Sequence, residues 1–150
     1  MSDFDPSHLQ DISALLLKSE DCLDCILDCD HYYQCLYRSI INRSYYAAFS
    51  SFKIWAIDNK EYDENLAMAH YRRESISRGW NPPGRHKVLT LFILDNADPN
   101  YEDHIRLLAD DLDTIRENRN NADYVFDIEL SKVDAETVFN TSQNIIAGLL

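Results

Sequence analysis

Five residues within nine positions have the types and spacing to do chemistry. They are Arg116, Arg119, Asn120, Asp123 and Tyr124. Ile105, Leu108, Leu112, Ile115, Arg119 and Ala122 follow one another at steps of three, four, three, four and three, the spacing of one helical face. Arg119 therefore stands on an apolar stripe where a leucine is expected. A long cation in such a seam needs an anionic partner, a ligand or a subunit interface. Asp123 and Tyr124 lie one turn on. Arg116 lies one turn back and off the stripe, where Asp113 can pair with it at a three-residue step. Neither neighbour is a ready acid or base near neutrality. Tyrosine titrates at about 10 when unperturbed, and a carboxylate repels an anionic substrate.

A second stretch must position this one. Tyr37, Ile41, Tyr45, Ala48, Phe52 and Trp55 share a helical face, and Ile40, Ala47, Phe49 and Ala56 widen it. A face that broad is covered on several sides, so the helix over about 33–57 is expected at the centre of the domain. Ala47 and Ala48 allow another backbone to come close. Arg43 is a cation beside that apolar surface, expected to be paired or functional. A buried ion network of Arg43, Arg119 and Asp123 would explain the arginines without any ligand.

The 150 residues suit one domain, 1–150, with a single core. Three glycines and four prolines favour helices over a turn-rich β protein. No apolar run is long enough to span a bilayer, and no signal-peptide pattern opens the chain, so a cytoplasmic protein without membrane contact is expected. The net charge of −12 is unevenly placed: −7 over 1–30, +4 over 31–90 and −9 over 91–150. Such acidity argues against broad, non-specific nucleic-acid binding but leaves room for a local site in the positive middle. Cys22, Cys25 and Cys29 have a metal-like spacing. On a helix, though, they form a stripe beside Leu15 and Ile26, and no second pair follows, so core packing is expected and no metal or cofactor. No disulfide is expected of them or of Cys35.

In chain order, Ser7 and Gln10 form a capping box for a first helix over about 8–28, with Leu9, Ile12 and Leu16 on its apolar face. Asp30 and His31 join it to the central helix, which Asp58-Asn59-Lys60 ends. Residues 63–77 are weakly helical, with Leu66, Ala67, His70 and Tyr71 on one face. Residues 78–84 are a loop. The cations of this region (Arg72, Arg73, Arg78, Arg85, Lys87) with Tyr71 and Trp80 could hold single-stranded nucleic acid, but a solvated helix face with a loop anchored by one tryptophan is the plainer reading. A short helix over 85–96 turns Val88, Leu91 and Phe92 inward. Asp98 caps the next helix, with Pro99 in its first turn. A last helix over about 134–147 packs through Val138, Ser142, Ile145 and Leu149. The expected fold is all-α, an antiparallel bundle of about five helices.

Arg43-Ser44-Tyr45-Tyr46-Ala47-Ala48-Phe49 resembles the second-helix signature of the HEPN family, small all-helical domains of many prokaryotic RNase toxins and defence proteins. Arg116 to Tyr124 resembles the variant of the family's last motif that ends in Ala-Asp-Tyr. Together the two motifs span about 22–124. The Arg-His-Lys-Val start at Arg85 resembles the entry to the family's third helix, where His86 reads as a capping or packing residue rather than a catalyst. The resemblance implies a homodimer in which paired motifs cleave RNA without metal. Arginine stabilises the phosphorane and a histidine four to six residues later serves as acid or base. Arginine and asparagine carry over as Arg119 and Asn120. In the histidine's place this chain has Tyr124, and its nearest alternatives could reach the site only through the fold or a second subunit.

Two functions from different classes follow. One is a non-catalytic module of a defence, toxin–antitoxin or stress system. It binds RNA, a nucleotide or a partner protein through an Arg119 cleft, with Arg43, Tyr46 and Arg116 in support, and its acidic surface would suit a basic partner. The other is an active endoribonuclease in which Arg119 and Asn120 work with Asp123 or Tyr124. No nucleotide-binding glycine loop and no Ser/His/Asp or Cys/His spacing points to another enzyme class.

Overall fold

The computed structural model describes residues 6–23, 30–98, 100–125 and 127–150. These form six α-helices and no strand: α1 (Ser7–Leu23), α2 (Asp30–Lys60), α3 (Glu64–Ser77), α4 (Arg85–Asn96), α5 (Asp103–Tyr124) and α6 (Lys132–Gly148). The protein is all-α, with one helix more than the expected five because 64–77 is a full helix. Among the described residues no helix is long and apolar enough to cross a membrane. The cysteine stripe of Cys22, Cys25 and Cys29 falls outside the described residues and side chains, as do Ile26, Leu27 and the connection from α1 to α2. Cys35 is exposed with a free thiol.

α2 is the central helix. It packs on α1, α4, α5 and α6, whereas α3 packs on α4 alone. Ile40, Ile41, Tyr45, Ala47, Ala48, Phe52 and Ala56 are all buried, as their spacing requires. The helix begins at Asp30, earlier than expected, so Asp30 and His31 belong to it. At its far end Glu61 takes a left-handed conformation (φ 54°), and Tyr62 N–H bonds back to Ala56 C=O at 3.1 Å, closing the C-terminus.

Several local expectations need correction. The expected Ser7–Gln10 capping box rests on the Ser7 side chain, which lies outside the described side chains; Gln10 itself reaches across to α6. Its amide donates to Phe139 C=O (3.2 Å) and accepts from the Ser142 hydroxyl (3.0 Å), which ties α1 to α6. On α1 Ile12 is exposed and Ser13 buried, because the helix turns Leu9, Ser13, Leu16 and Leu17 toward its neighbours. On α3 the buried face is Ala67, Tyr71 and Ser75, and Leu66 points to solvent. Asp63 caps that helix by accepting from Asn65 and Leu66 N–H. On α4 the buried residues are Val88, Leu89, Thr90 and Ile93, with Leu91 and Phe92 only partly covered. Asp98 does not cap α5. It closes its own turn on Asn100 N–H (2.8 Å), and α5 starts at Asp103. Trp80 does not anchor its loop in the core: it is 62% exposed, with Arg78 5.0 Å over its ring. Gly79 does the anchoring, its φ of 71° being the left-handed turn that ends α3.

α6 starts with a reciprocal capping box, Ser131 with Asp134. Ala135, Val138, Ser142 and Ile145 are buried, and Ser142 also donates to Ser44 C=O of α2 at 2.6 Å.

Candidate functional site

α2 carries a polar stripe beside its apolar face. Arg38, Asn42 and Tyr46 recur every four residues and so line up along one edge of the helix. The C-terminal end of α5 lies against that edge, and each residue of the stripe takes one part of it. Arg38 donates to the carbonyls of Ala122, Val125 (3.4 Å) and Ile128 (2.9 Å), satisfying acceptors that a helix end leaves open. Asn42 donates to both carboxylate oxygens of Asp123, at 3.2 and 2.9 Å. The Tyr46 hydroxyl accepts from Arg119 Nη2 at 3.1 Å. Arg38→Met removes a charged donor from several carbonyls at once. It should cost about 2–3 kcal/mol in urea unfolding and speed amide exchange in the segment after α5.

Arg119 is the centre of the cluster. Its guanidinium lies 5.3 Å from the Tyr46 ring centre and 5.4 Å from that of Tyr124, which is itself largely exposed. Nη1 donates to Asn120 Oδ1 at 3.2 Å. Nε is 2.8 Å from Asp123 Oδ2, close enough for an ion pair, yet the oxygen lies off the N–H direction, so this buried donor has no hydrogen-bond acceptor. The side chain is 14% exposed. Arg119, Asn120, Asp123, Tyr124 and Tyr46 thus come together, with the arginine on the apolar stripe between buried Ile115 and Ala122.

Arg116 makes the expected pair with Asp113, at 2.8 Å. Asp113 also takes Lys87 of α4, at 2.7 Å. Burial pushes the Asp113 carboxyl up, but its bonds to Arg116 and Lys87 outweigh this and hold it below the ordinary aspartate value. A depressed folded-state value stabilises the protein above the unfolded value of about 4 and loses that stabilisation as pH falls further. Asp113→Asn should therefore lower the thermal midpoint at pH 7, and its difference from wild type should shrink in melts at progressively more acid pH.

Arg43 stands apart. It is two residues from both Ile41 and Tyr45, which are buried, so it points the other way and is exposed. It makes no buried network with Arg119 and Asp123; Asn42 holds Asp123 instead. Arg43 does line a shallow polar hollow with Arg38, Ser39, Asn42 and Asp123, on the far side of that carboxylate.

The residue with no signal on α5 is His86. α4 brings it into the aromatic group of α2. Its ring stacks on Phe49 (4.4 Å, 18°), lies over Tyr45 (5.5 Å, 23°) and meets Tyr46 edge-on (5.5 Å, 81°). Nδ1 is 2.5 Å from the Tyr45 hydroxyl. Burial, then the charges of Arg119 and Arg116, hold the imidazole below its usual value, so it is neutral at pH 7. Burial pushes the Tyr45 phenol well up.

The fold and cluster together define an all-α helical bundle with an arginine-centred side-chain cluster between its central helix and α5. Comparison of the chain with protein-family models, with curated proteins and with solved structures gave no match.

Proposed function

We propose that the protein is a HEPN-like module that binds the phosphate of RNA or of a nucleotide at the Arg119 cleft, in a prokaryotic defence, toxin–antitoxin or stress system and as a homodimer. The observation that carries this reading is the setting of Arg119. Its guanidinium lies between two tyrosine rings, with neutral acceptors at both terminal nitrogens, Asp123 ion-paired beside Nε at 2.8 Å, and that buried N–H without a well-aligned hydrogen-bond acceptor. Around it five cations (Arg38, Arg43, Lys87, Arg116, Arg119) meet three carboxylates (Asp113, Glu117, Asp123), a local excess of positive charge in a chain of −12. Tyr46 and the exposed Tyr124 offer ring faces for a base beside a phosphate. Few cations take part, so binding at this site should be local and of modest salt dependence.

The test is equilibrium binding of labelled single-stranded RNA and of mononucleotides in EDTA, followed by fluorescence anisotropy and then by gel. Saturable binding with intact RNA supports the module. Metal-independent cleavage lost in Arg119→Ala would establish the ribonuclease instead. Binding of basic peptides in place of RNA would turn the cleft to protein recognition and overturn the phosphate reading. Light scattering tests the dimer, and a strict monomer would remove it.

A further inference from the structure

We infer that His86, from α4, is the second ligand-binding group of the Arg119 cleft, donating a hydrogen bond from Nε2 to a phosphate oxygen as a neutral imidazole. This rests on the phosphate reading above and extends it to a residue outside the α5 motif.

The tautomer follows from hydrogen-bond accounting. Tyr45 is fully buried, and its hydroxyl meets only His86 Nδ1 among the described residues. If Nδ1 carried the proton, the phenol O–H would be a buried donor with nothing to receive it. Burial keeps the phenol protonated, so Tyr45 donates and Nδ1 accepts. A neutral imidazole has one proton, which then sits on Nε2. Phe49 and Tyr45 occupy the ring faces, Tyr46 meets it edge-on, and no described residue hydrogen-bonds to Nε2. The edge carrying Nε2 is what the half-buried ring has left for a ligand. The Tyr46 ring joins this group to the guanidinium of Arg119.

The charges around the ring explain why it serves as a donor and not as a base. Arg116 and Arg119 of α5 and Lys53 of α2 oppose a further positive charge, and Glu64 of α3 favours it. Arg85 and Lys87 flank His86 on α4, and Arg85 and Lys87 are paired with Glu64 and Asp113. Both carboxyls sit below their ordinary values, and Tyr45 sits above its own. Of this set His86 is therefore the group whose ordinary value lies nearest neutrality. A bound phosphate reverses the balance and raises the His86 value. Affinity must then increase as pH falls through the raised value and level off below the free one.

The probe is a uridylyl-uridine dinucleotide with a 2′-O-methyl group on its first ribose. It cannot be cleaved, and its diester charge is constant across the range. Wild type is expected to bind more tightly as the pH is lowered below neutrality. His86→Phe keeps the stacking but loses the donor, and should bind about tenfold more weakly. His86→Gln keeps an acceptor for Tyr45 and an outward donor, so it should bind near wild-type strength with a flat pH profile. Nitrogen NMR of the free protein should show Nε2 protonated and Nδ1 bare. The opposite tautomer would overturn the inference. So would His86 variants that bind and titrate as wild type while Arg119→Ala weakens binding. Failure of wild type to bind the dinucleotide would instead remove the phosphate reading, and this inference with it.

Discussion

Arg119→Ala is expected to weaken RNA binding by about 10- to 100-fold, the loss of one or two charge-assisted hydrogen bonds to phosphate. The fold should survive. Asp123 keeps both bonds from Asn42, and Ile115 and Ala122 keep the helix seated. Arg119→Lys should recover little, because an ammonium cannot reproduce the planar fork that meets Tyr46 and Asn120 at once. Arg43→Ala should cost about two- to threefold, as one solvated charge near the site. Anisotropy titrations beside circular dichroism of each variant separate these outcomes. Equal losses from Arg43 and Arg119 would mean a diffuse basic surface rather than a cleft.

The largest effect on stability is expected from Phe52→Ala. Phe52 is fully buried on the central helix and lies edge-on to Trp55, 5.8 Å between ring centres. Removing the ring leaves a cavity inside the bundle and should cost about 3–5 kcal/mol. For a chain of this size that corresponds to a fall in midpoint of roughly 10 °C. Tyr124→Ala, which removes an equally large side chain from an exposed position, should change stability little. Chemical unfolding of both variants gives the comparison, and a small loss for Phe52→Ala would place the core elsewhere.

The contrast between these residues shows what could be read in the chain before its structure. Helical periodicity relates residues on one helix, and there it served well. It placed α2 at the centre and put Arg119 between Ile115 and Ala122. It also paired Arg116 with Asp113. Arg43 was misplaced by the same rule applied loosely, since a residue two steps from both Ile41 and Tyr45 must face away. The stripe of Arg38, Asn42 and Tyr46 had a visible spacing of four, but its partners are carbonyls and side chains of a helix some eighty residues away. For His86 the sequence offered a capping or packing role at the start of its helix, and its ring does pack on Phe49 and Tyr45, but nothing local placed it beside Arg119. Its setting depends on how α4 crosses α2, which is decided by packing across the core. The start of α5 was lost because Asp98 can cap a helix or close its own turn, and neighbouring residues do not say which.

Arg38 has a consequence for how the chain can vary. Its guanidinium receives carbonyls from Ala122, Val125 and Ile128, so the end of α5 and the residues that lead into α6 are tied to a single cation as a rope to a bollard. Gln34, one turn earlier on α2, grips both backbone groups of Leu130, at 2.8 and 2.9 Å. The connection is thus gauged in length, and one residue added or removed would slide every later carbonyl off its donor. The exposed loop after Gly79 is under no such gauge. Insertions and length differences among relatives of this chain should gather there, and the passage from Tyr124 to Ser131 should keep its count.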